Sequence, residues 1–331
     1  MKRSFLYTAV LSGVLALTSV AQATQLKISH IRPQGTTIDN ELRDFGKQLE
    51  TVTEGEVKLR IYPASALGDY STVQERISVG AIDMAVQPAA TAASRKMQIS
   101  AFPYVAENWA QAKKIYGPGG AIYDAMKGLY AQSDIVMLAA YPVYFGGIAL
   151  NTDAVSPADP SVEKGIKVRV PGIKSFQLTS DALGYISSPL PFSEAFTAVQ
   201  TGVVDGVIGG GAEGYYASFR DVTKTYVPIN THFEVWYMII NAEALADLDK
   251  DDQQALKAAA VAFEEKRWGT AEADQAKNEQ KLAEYGANIV KLSDADLAAA
   301  AQKVRAEVWP KILKDVGEDW GQAILDKIAQ H

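Results

Sequence analysis

Apolar positions change period along the first part of the chain, and each change marks an element. Leu26 and Ile28 alternate with polar neighbours, which predicts a short strand. Ile38, Leu42, Phe45, Leu49 and Val52 then fall three and four apart, one stripe of a helix that Gly55 stops. Val57, Leu59 and Ile61 alternate with Lys58, Arg60 and Tyr62, the period of a half-exposed strand. A helix is expected over 72–79, and a strand over 81–86 after Gly80. Strands alternating with helices predict an α/β architecture with parallel pairing.

That grammar recurs in the second half. Gly80-Ala81-Ile82-Asp83-Met84-Ala85-Val86 is echoed by Gly202-Val203-Val204-Asp205-Gly206-Val207-Ile208, which follows a helix expected over 194–200. Upstream, Val57 to Ile61 is echoed by Ile166 to Val170. Two such units predict two lobes of one plan; common α/β grammar is the other explanation. From Asp252 to Tyr285 there is no proline, and Ala, Lys, Glu and Gln dominate until Gly286. A continuous helix of that length spans roughly 50 Å, longer than a small domain is wide. It must run along both lobes or project into solvent, and Leu256, Ala260, Phe263 and Trp268 argue for packing, with Gly269 a point of bending. Ser293 with Asp296 predicts a capped helix, and Pro310 the start of the last one.

Composition narrows the classes. Lys2 and Arg3 precede an apolar run over 5–17 and the small-x-small triplet Ala21-Gln22-Ala23. This order predicts a signal peptide over 1–23, a mature chain from Thr24 and a periplasmic location. No later stretch is apolar enough to span a membrane, so a soluble mature chain is expected. The formal charge of −7 becomes two units more negative without Lys2 and Arg3, and no basic block is present. Nucleic acid and anionic lipid are therefore not expected partners. The absence of cysteine excludes disulfides, thiolate metal sites and cysteine nucleophiles.

Few residues suggest chemistry on their own. Gly209-Gly210-Gly211-Ala212-Glu213-Gly214 satisfies G-x-G-x-x-G, yet it lies deep in the second half with no acid ending a following strand. Glycines that let the backbone turn or approach a ligand are the simpler reading. His30, His232 and His331 have no ligand spacing, and His30 reads as a structural histidine. Arg169 ends an apparent strand before Pro171-Gly172, where a guanidinium can grip a carboxylate through two parallel hydrogen bonds; the echoed Arg60 reads as solvated. Aromatic residues gather near predicted strand ends: Tyr141, Tyr144, Phe145, Phe192, Tyr215, Tyr216, Trp236 and Tyr237. Fewer than half are expected to touch a ligand.

Three runs together resemble a known family: Gly165-Ile166-Lys167-Val168-Arg169-Val170-Pro171, Pro191-Phe192-Ser193-Glu194-Ala195-Phe196, and Val199-Gln200-Thr201-Gly202-Val203-Val204-Asp205-Gly206. They are similar to the signature of TRAP-transporter substrate-binding proteins of the DctP type, and Leu67-Gly68-Asp69 and Phe102-Pro103-Tyr104 fit its first lobe. The resemblance implies a two-lobed periplasmic binding protein (type II-like), α/β, with a central cleft and a long helix crossing both lobes. It implies division into lobe I (24–147 with 237–265) and lobe II (148–236 with 266–331). Arg169 is implied as the salt bridge to a substrate carboxylate, Phe192 as its neighbour, and the segment around Gly209 as cleft wall. Arg32, Gln87, Tyr144, Glu213 and Trp236 complete the candidate ligand-binding set.

Val207-Ile208-Gly209 stands where sialic-acid members carry Gln-Glu-Asn, and Phe145-Gly146-Gly147 stands near the place of their second arginine, which argues against sialic acid. Some keto-acid members use a metal near the segment holding Glu213; no metal and no cofactor is assigned to this chain. The expected function is capture of a small organic acid, a carboxylate or a sulfonate, by lobe closure, and delivery to TRAP permease subunits. Membrane contact is expected only through that permease. An enzyme is not expected. The rival readings are an exported enzyme acting on such an acid, a ligand-presenting partner of a sensor, and a binding protein of the ATP-driven class, against which the long helix argues.

Overall fold

The computed structural model describes residues 23–330, so the expected leader lies outside the described residues apart from Ala23. The chain forms two α/β lobes, each built on a mixed sheet. The first sheet contains β1 (Thr24–Ser29), β2 (Val57–Tyr62), β3 (Met84–Gln87), β4 (Ile135–Phe145) and, from later in the chain, β10 (Phe233–Asn241), in the order β2-β1-β3-β10-β4. The second contains β5 (Gly147–Leu150), β6 (Lys167–Val170), β7 (Ile186–Pro189), β8 (Gly206–Gly210), β9 (Thr225–Val227) and β11 (Asn288–Ile289), in the order β11-β9-β5-β8-β6-β7. Helices α1 (Thr37–Val52) and α2 (Tyr70–Ser78) connect the parallel strands of the first sheet, and α5 (Lys174–Ala182) and α6 (Phe192–Gln200) those of the second. In α1 the predicted stripe buries Ile38, Leu42, Phe45 and Leu49, whereas Val52, expected on it, is 59% exposed where the last turn leaves the sheet.

The internal echo has a physical basis. Asp83 accepts the backbone N–H of Lys27 through Oδ2 at 2.7 Å, and Asp205 accepts that of Lys167 through Oδ2 at 3.3 Å. Each aspartate stands just before a strand parallel to the lysine's own, with Ile28 opposite Met84 and Val168 opposite Gly206. Asp83 therefore precedes the strand rather than lying within it, and β3 starts three residues later than expected. The upstream half of the echo requires correction. The strand of Arg169, β6, is flanked by β7 and β8 as β1 is flanked by β2 and β3. Arg169 is thus the counterpart of Ser29, while Arg60 is exposed on the edge strand β2.

Two segments cross between the sheets near their middle. β4 passes through Gly146 into β5, and β9 passes through residues 228–232 into β10, which pairs wholly within the first sheet. The crossings bind each other, because Gly146 N–H donates to His232 O and Thr231 N–H to Gly146 O, both at 2.8 Å. The remaining helices of the first half, α3 (Trp109–Tyr116) and α4 (Ala121–Ala131), cover the first sheet, and the short α7 (Ala212–Ser218) follows β8.

After α8 (Ala242–Ala246), α9 runs unbroken from Lys250 to Tyr285, 36 residues. At 1.5 Å per residue it is about 54 Å long. It packs on α1 and β4 of one lobe and on α7 and β11 of the other, and Gly269 interrupts it nowhere. Glu264 accepts from Ala140 N–H, Arg267 donates to Pro142 O and Gln275 accepts from Phe145 N–H, so three side chains of α9 satisfy the backbone of β4 where it approaches the crossing. Ser293 and Asp296 form the predicted capping box of α10 (Asp294–Val316). Pro310 lies inside that helix, not at the start of the last, which is α11 (Glu318–Ala329). The buried stripe Val304, Val308, Ile312 and Val316 continues past Pro310, which faces solvent, and this burial outweighs the missing amide.

Candidate functional site

The carboxyl ends of β1, β3, β6 and β8 point toward the space between the lobes, the position at which α/β sheets present ligand loops. There a nearly closed cleft, with about 30 Å³ of free room, is lined from both lobes. Its walls are mainly apolar: Ile31, Pro88, Ala89 and Val235 from one side, Pro171, Ile173, Phe176 and Phe192 from the other. Its charged lining groups are Arg32, Arg169 and Glu234, supplemented by Tyr70, Ser100 and Tyr144.

Arg169 is 1% exposed, and its Nε donates to Leu190 O at 2.8 Å. Among the described residues no carboxylate lies within ion-pair distance of it. Burial holds its pKa below the ordinary value, with Tyr70 and Tyr215 only partly offsetting that. A desolvated cation with one neutral partner leaves its remaining donors for an incoming anion.

Arg32, equally buried, is differently placed. Its Nε donates to Glu213 Oε2 at 2.9 Å and Oε1 at 3.2 Å, and this pair joins the lobes. Burial lowers the Arg32 pKa, but Glu213 and Tyr144 outweigh it and the net displacement is upward. Its guanidinium lies 4.8 Å from the Trp236 ring and 5.4 Å from the Phe192 ring. The Phe192 ring is also 5.8 Å from the Arg169 guanidinium, so one aromatic residue is shared by the two cations. Nη1 of Arg32 is buried without a partner.

The structure thus brings Arg32, Tyr144, Arg169, Phe192, Gly209 and Trp236 together on the cleft. Gly209 has φ +96°, and a Cβ there would sit 2.6 Å from Pro171, so glycine lets the end of β8 meet the loop after β6. Gln87 does not line the cleft; its side-chain amide donates to Tyr70 O at 2.7 Å from behind. Glu213 does not line it either, being held by Arg32. The glycine-rich run serves close approach: a Cβ on Gly211 would lie 2.5 Å from the Tyr144 ring and one on Gly214 2.4 Å from Arg32 Nη2. Of the eight aromatic candidates, Tyr144, Phe192 and Trp236 reach the cleft. His30 is fully buried and bonds Asp39 at 3.2 Å, as a structural histidine would.

Sequence reasoning missed Glu234, Tyr70 and Asp69. Glu234 accepts from Trp236 Nε1 at 2.7 Å and from His232 Nε2 at 3.0 Å. A His-x-Glu-x-Trp alternation running into a strand was the available signal, since residues two apart in extended chain share a face. Tyr70, whose pKa is pushed up to about 12 by burial, lies near Arg169, Asp69 and Glu234. Among the described residues no group of three or more His, Asp or Glu is placed to hold a metal ion, and no helix is long and apolar enough to cross a membrane.

Two lobes joined by paired crossings and a spanning helix, closing on a cleft with a buried guanidinium, form the architecture of a two-lobed solute-binding protein. The chain belongs to the DctP family, bacterial extracellular solute-binding protein family 7, which matches residues 28–315. A solute-binding protein of Roseobacter denitrificans is 28% identical over 304 residues, covering 89% of this chain and 90% of the relative. The C4-dicarboxylate-binding periplasmic protein DctP of Rhodobacter capsulatus is 24% identical over 97% of this chain and 96% of its own. Among solved structures, DctP7 of Bordetella pertussis, an extracytoplasmic solute receptor binding pyroglutamic acid, superposes with a TM-score of 0.82 at 21% identity, covering 93% of this chain and 100% of that one. The galactonate complex of a sugar acid binding protein from Advenella mimigardefordensis gives 0.85 at 16% identity, covering 93% and 99%.

Proposed function

We propose that the protein is exported, captures a small organic acid between its lobes and delivers it to the membrane subunits of a TRAP transporter. The observation that carries this reading is Arg169: a cation buried in the cleft, with a backbone carbonyl as its hydrogen-bond partner and, among the described residues, no acid within ion-pair distance. Its donors suit the two oxygens of a carboxylate. The acids named for the relatives, dicarboxylate, pyroglutamic acid and galactonate, each carry such a group. Ligand favours the closed form through contacts that exist only when both lobes touch it. In the described residues the lobes already meet at Arg32–Glu213 and along the cleft wall, so closure needs no further element.

The test is a thermal-shift screen of refolded, ligand-stripped protein against small carboxylates and sulfonates. A ligand at about a thousand times its Kd stabilises by about 4 kcal/mol, several degrees for a chain of this length. Recovery of the hit unchanged after prolonged incubation separates capture from turnover. A folded protein that responds to no acid, or that converts one, overturns the proposal.

A further inference from the structure

We infer that the cleft selects a monocarboxylate carrying an N–H or O–H donor, which Glu234 reads, and refuses acids with a second carboxylate. This deepens the reading above and rests on it. The charged groups lining the cleft are two guanidiniums and one carboxylate, and their partners make them unequal. Arg32 is already neutralised by Glu213, and its guanidinium lies near two aromatic rings. Arg169 alone has no acid partner. A ligand carboxylate therefore seats on Arg169, while Glu234 adds to the cleft a negative charge that no lining cation pairs with.

Glu234 faces the same cleft from the opposite lobe and does not pair with Arg169. A carboxylate only accepts, so His232 Nε2 and Trp236 Nε1 must be its donors, and these two bonds fix its orientation. They occupy about half of its lone-pair directions, leaving acceptor capacity toward the ligand. The other end of the relay is anchored, because His232 Nδ1 meets Thr231 Oγ1 at 2.9 Å, in the crossing segment. Glu234 is therefore a pre-oriented acceptor in an apolar wall. A ligand N–H or O–H completes it, while a ligand carboxylate meets like charge with no spare cation. The unpartnered Nη1 of Arg32 adds a donor for one neutral acceptor, such as an amide or hydroxyl oxygen. Acids bearing a row of hydroxyls are also disfavoured, because few neutral polar side chains line the walls.

The experiment is calorimetric titration of the full-length mature protein with straight-chain acids of three to eight carbons. Each length is supplied in three forms at the far end: methyl, primary amide and carboxylate, as in butyrate, succinamate and succinate. The best amide-ended acid is expected to bind at least about a hundredfold more tightly than the diacid of equal length, the scale of an uncompensated like-charge contact. It should exceed the methyl-ended acid about tenfold. Glu234→Gln, checked for an unchanged melting profile, should shrink the amide-to-diacid gap about tenfold or more. A diacid that binds wild type as tightly as its amide overturns this inference and leaves acid capture standing. Failure of every acid in the series, together with a flat screen of the wider carboxylates and sulfonates, overturns acid capture itself, and the inference with it.

Discussion

The carboxylate of Asp69 accepts the backbone N–H of Phe192 at 3.1 Å, and the two residues belong to opposite lobes. Asp69 also caps α2 through Ser71. Phe192 opens α6 and places its ring near both Arg32 and Arg169. One carboxylate thus ties the entrance of α2 to the residue shared by the two cations.

Asp69→Asn should loosen that tie while sparing the helix, because asparagine caps nearly as well as aspartate. Its amide nitrogen cannot accept from Phe192 N–H. Affinity for the acid that wild type binds is expected to fall by about 1 kcal/mol, roughly fivefold, chiefly through faster dissociation. Stopped-flow release kinetics check this, and an unchanged dissociation rate would remove the tie from the mechanism.

Arg169→Ala should weaken acid binding by about 2–5 kcal/mol, since it strips the partner from a buried charge. Arg169→Lys should recover only part of that loss, because a single ammonium cannot reproduce the parallel pair of hydrogen bonds. Titration calorimetry decides it; affinity retained within twofold in the alanine variant contradicts the assignment.

Gly214→Ala places a methyl group 2.4 Å from the present position of Arg32 Nη2. Alanine is the better helix former, so α7 itself should not suffer. Arg32 is buried and held by Glu213, so it has little room to give way, and the lobes are expected to stand apart. Small-angle scattering should show a larger radius of gyration in the presence of ligand, with binding weakened about tenfold or more. A variant that closes as wild type does would mean that Arg32 yields at little cost.

Glu213→Gln leaves Arg32 buried without its counter-charge, a loss on the scale of about 3–5 kcal/mol in the closed form. Opening rehydrates the cation and caps that cost, so the expected result is a shift toward the open form with modest change in thermal stability. Interlobe distance measured with a pair of spectroscopic labels tests this. Replacing both partners, Arg32→Met with Glu213→Leu, should restore much of the closed population.

Glu264, buried against β4, has its pKa pushed from 4.5 up to about 7, first by burial. The folded state therefore holds a proton that the unfolded state has released between those values. Stability from this group is present below about pH 4.5 and is lost as pH rises through about 7. Glu264→Gln removes the titration. Between pH 4.5 and 8 the variant should gain on wild type by about 1–3 kcal/mol in denaturant unfolding. A difference that stays flat with pH would contradict the buried, protonated carboxyl.

Much of the molecule was legible from local pattern. The stripe of α1, the proline-free run of α9, the capping box of Ser293 and Asp296, and the paired Gly…Asp turns are written in residues only a few positions apart, where 3.6-residue and two-residue periods, helix propensity and hydrogen bonds to neighbours act. The family resemblance pointed to Arg169 and Phe192. Local rules misled where long-range contacts outweighed them: Pro310 stays helical because its helix buries a continuous stripe, and Arg60 is no counterpart of Arg169 because sheet order makes β6 equivalent to β1.

The sequence by itself determined two α/β units and the long helix, since the first follow from periodicity and the second from a proline-free run of helix-forming residues. Only the tertiary structure decided which charges are free. Arg32 and Glu213 stand 181 residues apart, as Asp69 and Phe192 stand 123 apart, and nothing in their spacing foretells either contact. Charge compensation depends on distance in space and on the removal of water, and both are set when the lobes meet. That is why Arg169 remains a cation without an acid, and why Glu234, silent in the sequence, faces the same cleft.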